Sequence, residues 1–127
     1  MKKTAAIKKN FEFKRAYRRG KSIVGPFVAV YAYKTRGKAG RLGLTVSKKL
    51  GGAVERNRAK RLMREAYRLL ENEINPGFDI ILVARTRCVT AGCDQVLRSL
   101  RKMFSEIGVI TKGEKNEKID DSADPVL

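Results

Sequence analysis

The sequence predicts a single α+β domain, a two-layer sandwich in which helices lie against one face of a small sheet. Three observations lead to that class. Apolar residues recur at helical spacing in three stretches, 10–19, 53–70 and 93–107. Runs rich in β-branched and aromatic residues lie between those stretches. No internal repeat and no second domain interrupts the 127 residues, a length that suits one core. The order is therefore helix, strands, helix, strand, helix.

Residues 1–9 form a basic arm without apolar periodicity and are expected to be flexible. NFEFKRAYRR, residues 10–19, follows as a short helix, with Asn10 as N-cap and Gly20 at the stop. Its Phe13 and Tyr17 stand at i and i+4 on one face, flanked by Lys14, Arg15, Arg18 and Arg19. Such an aromatic pair commonly packs in a core. Rings interleaved with cations also suit a single-stranded nucleic acid, whose bases stack while its phosphates meet charge. The pattern leaves both readings open. IVGPFVAVYAY, residues 23–33, reads as a strand with Phe27, Ala29, Tyr31 and Tyr33 on one side, and Pro26 marks its start or an edge. After the basic turn TRGKAG, RLGLTVSK supplies another strand, and the two are expected to pair as an antiparallel hairpin.

Gly51 and Gly52 break the chain before its longest helix. From Ala53 to Leu70, the residues Ala59, Leu62, Met63, Ala66, Leu69 and Leu70 fall on one apolar stripe. Asn57, Lys60, Arg61, Arg64 and Arg68 keep the same rhythm on the other side. Only Glu55 and Glu65 stand among these cations. Like charges this dense repel unless a polyanion settles them, so the helix is read as an anion-binding face. Pro76 and Gly77 end that segment, and FDIILVA is a continuous apolar run fit for a buried strand. A last amphipathic helix runs from about Cys93 to Ile107, carrying Val96, Leu97, Leu100, Met103, Phe104 and Ile107 on one face. Residues 111–127 are polar and acid-leaning and are expected to be a disordered tail, which leaves one domain over 1–110.

Charge narrows the function. The formal net charge is +16; residues 1–70 hold 21 Lys and Arg against three acids, and residues 71–127 hold eight against ten. An excess confined to one half points to nucleic acid. No apolar run approaches a membrane-spanning length, and the amino terminus lacks the hydrophobic segment of a secretory signal, so no membrane partner and a cytoplasmic location are expected. There is no histidine, and Cys88 and Cys93 are the only cysteines, too few ligands for zinc and no basis for a nucleophile–base pair. The phosphate-loop pattern is also missing. No catalytic residue and no metal ligand are expected in the protein itself.

The stretch LGLTVSKKLGGAVERNRAKRLMREAYR closely resembles the signature of the bacterial ribonuclease P protein component, where a strand ending in Ser-Lys-Lys leads through a Gly-x-Ala-Val turn into an Arg-Asn-Arg motif. IKKNFEFKRAYRRGKS resembles that family's first helix, and FDIILVARTRC its fourth strand; the likeness spans about residues 7–107. Gly52 stands where the family often has Asn, and Tyr17 where it often has Phe. The resemblance implies three helices on a four-stranded sheet, with a left-handed βαβ crossover around the main helix, against the usual hand. It implies a catalytic RNA as partner and precursor tRNA as substrate. With Mg²⁺ bound mainly by that RNA, the complex would hydrolyse the phosphodiester that frees the tRNA 5′ end, and no protein partner is required. By the same resemblance Arg56, Asn57, Arg58, Lys60, Arg61 and Arg64, together with Arg68, are expected to face the catalytic RNA. Phe13, Tyr17 and Tyr31, with Val46, Ser47 and Lys49 on the adjacent strand, are expected to line a cleft for the single-stranded 5′ leader. The alternative is a general structural RNA-binding protein of ribosomal or RNA-chaperone type, which would share the basic face and lack the leader cleft.

Overall fold

The structure is a computed structural model, and it describes residues 4–7, 9–35 and 40–110. Its elements are β1 (Thr4–Ala6), α1 (Asn10–Arg19), β2 (Lys21–Val24), β3 (Val28–Lys34), β4 (Gly40–Thr45), α2 (Ala53–Leu70), β5 (Phe78–Ala84) and α3 (Cys93–Glu106). Short 3-10 turns occupy Lys48–Leu50, Glu71–Glu73 and Thr86–Thr90. The sheet order is β1-β4-β5-β3-β2. β4 is parallel to both β1 and β5, whereas β3 is antiparallel to both β5 and β2. Three helices on a mixed sheet agree with the predicted class, with five strands in place of four.

The pairings correct three expectations. The stretch 23–33 is two strands, not one: the chain folds back between β2 and β3, where the Gly25 N–H donates to the Val28 carbonyl at 3.0 Å. A Cβ on Gly25 would lie 2.6 Å from Met103 Sδ, so the bend packs closely against α3 and a larger residue there would displace the Met103 side chain. The strands on either side of TRGKAG do not form a hairpin, because β5 lies between them. Its apolar run is the one best suited to a place with neighbours on both edges and cover on both faces. Third, part of the basic arm is not free. Thr4–Ala6 pair with Gly40–Leu42, and the Ile7 N–H donates to the Leu42 carbonyl at 3.0 Å. The rest of the arm (residues 1–3 and 8) and the tail 111–127 lie outside the described residues.

Strand alternation sorts the apolar side chains onto two faces. Val28, Val30, Ala32, Leu42, Ile80 and Leu82 meet Met63, Tyr67 and Leu70 of α2 and Leu100 and Phe104 of α3 in the main core. The Tyr67 and Phe104 rings meet edge-on with centroids 6.4 Å apart. On the opposite face α1 covers Ile81 with Ala16, joined by Ile7 and the half-buried Phe13, Tyr31, Tyr33 and Val83. The helices therefore flank the sheet, two on one side and one on the other, where a single helical layer was expected. Two details of α2 also differ: Tyr67 is in the core and Leu69 is exposed. α1 begins at Asn10 itself, Lys9 takes the cap position, and no side chain caps the helix.

Candidate nucleic-acid interface

α1 buries little apolar surface, with Ala16 its one fully buried residue. Ions hold it to the sheet. Asp79 of β5 is 1 % exposed and accepts from Arg41 Nε at 2.9 Å and Nη2 at 2.7 Å. Arg41 also donates through Nη1 to Glu12 of α1. Arg15 of α1 lies 3.5 Å from the Asp79 carboxylate, and its guanidinium sits 4.8 Å from the Tyr33 ring centre. A buried carboxylate is tolerated only when answered this fully, and the forked guanidinium answers both oxygens. The hydrogen bond from Arg41 holds the Glu12 carboxyl below its ordinary range, and Asp79 and Glu12 together raise the pKa of Arg41.

That clamp fixes an aromatic groove between α1 and β4. Phe13 lies against Gly43, where a Cβ would come within 2.7 Å of its ring. The missing side chain is what admits the ring. Tyr17 meets Tyr31 edge-on, centroids 4.8 Å apart, and its hydroxyl lies 3.4 Å from Thr45 Oγ1. Phe13 and Tyr17 are tilted neighbours at 6.4 Å. Asn10, Phe13, Lys14, Tyr17 and Thr45 line an open recess of about 360 Å³. Phe13, Tyr17 and Tyr31 thus come together as expected. The expected strand partners do not join them. Val46 packs with the α2–α3 core. The Ser47 hydroxyl caps the next turn, accepting from the Lys49 N–H at 3.1 Å, and Lys49 is exposed beyond it. Thr45 takes that place. Strand parity identifies it, since it shares a face with Gly43, whereas Val46 shares one with Leu42 and Leu44.

On α2 the cations separate into free and engaged. Lys60, Arg61 and Arg64 are exposed and make no ion pair among the described residues. Asn57 is exposed beside them. Arg68 pairs with Glu65 at 2.6 Å, which lowers the Glu65 pKa, and the pair with Arg61 and Arg64 lines a shallow recess of about 370 Å³. Arg58 is turned elsewhere: it donates to the Val89 carbonyl and, at 3.0 Å, to the Ala91 carbonyl. It ties α2 to the β5–α3 connection, a role that charge periodicity could not reveal. Arg56 is half-buried, and its Nε has no acceptor among the described residues.

This chain has counterparts of known identity. A model of the ribonuclease P family matches residues 1–108. The chain belongs to the ribonuclease P protein family. It is 42 % identical over 114 residues to the ribonuclease P protein component of Thermoanaerobacter sp. (strain X514), covering 90 % of this chain and 98 % of that one. The Clostridium acetobutylicum protein is 38 % identical over 112 residues, covering 87 % and 94 %. Among solved structures, the RNase P protein of Staphylococcus aureus superposes with a TM-score of 0.75 at 36 % identity, covering 84 % of this chain and 97 % of the other. That of Thermotoga maritima superposes with a TM-score of 0.72 at 27 % identity, covering 80 % and 96 %. As a ribonuclease P protein the chain is a subunit of a ribonucleoprotein endoribonuclease of tRNA processing. Among the described residues no helix is long and apolar enough to cross a membrane. No three Cys, Asp or Glu side chains among them stand together as a candidate metal site.

Proposed function

We propose that the two faces of the sheet bind two different RNAs. The α2 face, through Lys60, Arg61 and Arg64 with Asn57 and the edges of Arg56 and Arg68, binds the phosphates of the catalytic RNA. The α1 face holds the single-stranded 5′ leader of precursor tRNA, with bases stacked on Phe13, Tyr17 and Tyr31 and phosphates drawn to Lys14. The Mg²⁺ that hydrolysis requires is held by RNA, and the protein contributes substrate affinity. Arg58 keeps its place in the interface by positioning the 89–91 backbone beside the other cations. Cytoplasmic location follows from this work on precursor tRNA.

The observation that carries the reading is the open, ring-lined groove with a cation at its rim, on the face opposite the basic helix. Base–aromatic stacking tolerates any sequence, as a subunit serving many leaders requires. In complex with the catalytic RNA, Phe13→Ala is expected to weaken binding of precursor tRNA by about 1–3 kcal/mol, one lost stack, and to leave mature tRNA nearly unchanged. Equal losses for both RNAs would overturn the leader assignment.

A further inference from the structure

Phe11 has no structural reason to be aromatic. It is 59 % exposed and belongs to neither core cluster. With Lys14, Arg15, Arg18 and Arg19 it lines a second recess, about 290 Å³, on the outer side of α1. No carboxylate lines this recess. The Lys9 ammonium stands 6.0 Å from the Phe11 ring centre. Arg15 is occupied by Asp79 and Tyr33, whereas Lys14, Arg18 and Arg19 make no ion pair among the described residues. A ring open to solvent among free cations offers what an unpaired nucleotide needs: a stacking face, with positive charge around it for the phosphate.

Position decides which nucleotide. Lys14 lines both this recess and the Phe13–Tyr17 groove, so the two adjoin across the back of α1. α2 lies on the far face of the sheet, so a strand that leaves the groove past Lys14 moves away from the α2 surface. We propose that Phe11, with Lys14, Arg18 and Arg19, forms a second single-stranded RNA site that takes a leader nucleotide farther from the cleavage point than those in the groove. This site rests on the leader reading of the groove and extends it.

The test is binding of precursor tRNAs with graded leader lengths to the complex of catalytic RNA and protein, comparing wild type, Phe11→Ala, Phe11→Tyr and Phe13→Ala. Phe11→Ala is expected to weaken long-leader precursors about tenfold, near the low end for one lost stack, and to have no effect once the leader is too short to pass Lys14. Phe11→Tyr, which keeps the ring, should restore the long-leader affinity. Phe13→Ala should weaken binding down to shorter leaders than Phe11→Ala does. No effect of Phe11→Ala at any length would overturn the second site. So would an equal loss at every length, or weaker binding of the catalytic RNA alone, since either moves the contact to the other RNA. If Phe13→Ala is silent throughout while Phe11→Ala depends on length, the groove reading fails and the outer site stands alone.

Discussion

Glu12 is the single acid of α1, and its carboxylate earns a role only through Arg41. Because the pair lowers its pKa from the ordinary value of 4.5, the stabilisation is complete above that value and disappears as pH falls through the lowered one. Wild type should therefore unfold at higher urea than Glu12→Gln at neutral pH, with the gap closing as pH falls through the lowered Glu12 value. A gap that persists unchanged in acid would mean the ion pair is not its source. At this scale the sequence was legible where residue type dictates chemistry and silent where a partner does. Ring spacing puts Phe13 and Tyr17 on one face, and Tyr31 joins them only through the family resemblance. The fit of Phe13 against Gly43, the use of Arg41 as a clamp and the diversion of Arg58 depend on contacts between residues some thirty positions or more apart, which no local pattern encodes.

Among the elements α2 was read best, since an eighteen-residue helix repeats its pattern enough times to leave little ambiguity. On its apolar stripe the departure is Tyr67 in the core with Leu69 exposed, at the edge of the stripe, where a hydrophobic residue and an aromatic one with a polar tip compete for the core. The strands were harder. A run such as 23–33 alternates equally well as one strand or two, and the bend at Gly25–Phe27 is set by α3 packing against it. The division of labour on α2 yields a test. Lys60→Ala, Arg61→Ala and Arg64→Ala should each weaken catalytic-RNA binding, reduce the slope of log affinity against log salt by about 1, and change stability by less than about 0.5 kcal/mol. Arg58→Ala should cost about 1–3 kcal/mol of folding stability, since two carbonyls lose a charged donor. Urea titration beside salt-dependent RNA binding separates the two classes; an Arg58→Ala protein as stable as wild type would refute the staple.

For the molecule as a whole, the split of helices between faces matters more than the strand count. It holds the aromatic groove and the unpaired cations of α2 apart, and on the proposed reading this lets one small domain touch two RNAs without their phosphates crowding. A net charge of +16 announced a polyanion partner from composition alone, but only the fold distributes that charge over two sides. The place of β5 carries a separate consequence for how the protein is made. Strands β1 to β4 are complete by Thr45, yet β3 and β4 touch each other only through β5, which ends at Ala84. The ribosome must therefore deliver the central strand last, and the earlier strands wait as unpaired edges on a chain already carrying most of its positive charge. A fragment ending at Pro76 should keep helical circular dichroism without a cooperative melt; a sharp two-state transition in that fragment would contradict this order. Vectorial synthesis then leaves the most basic part of the chain unfolded the longest, in a cell crowded with RNA.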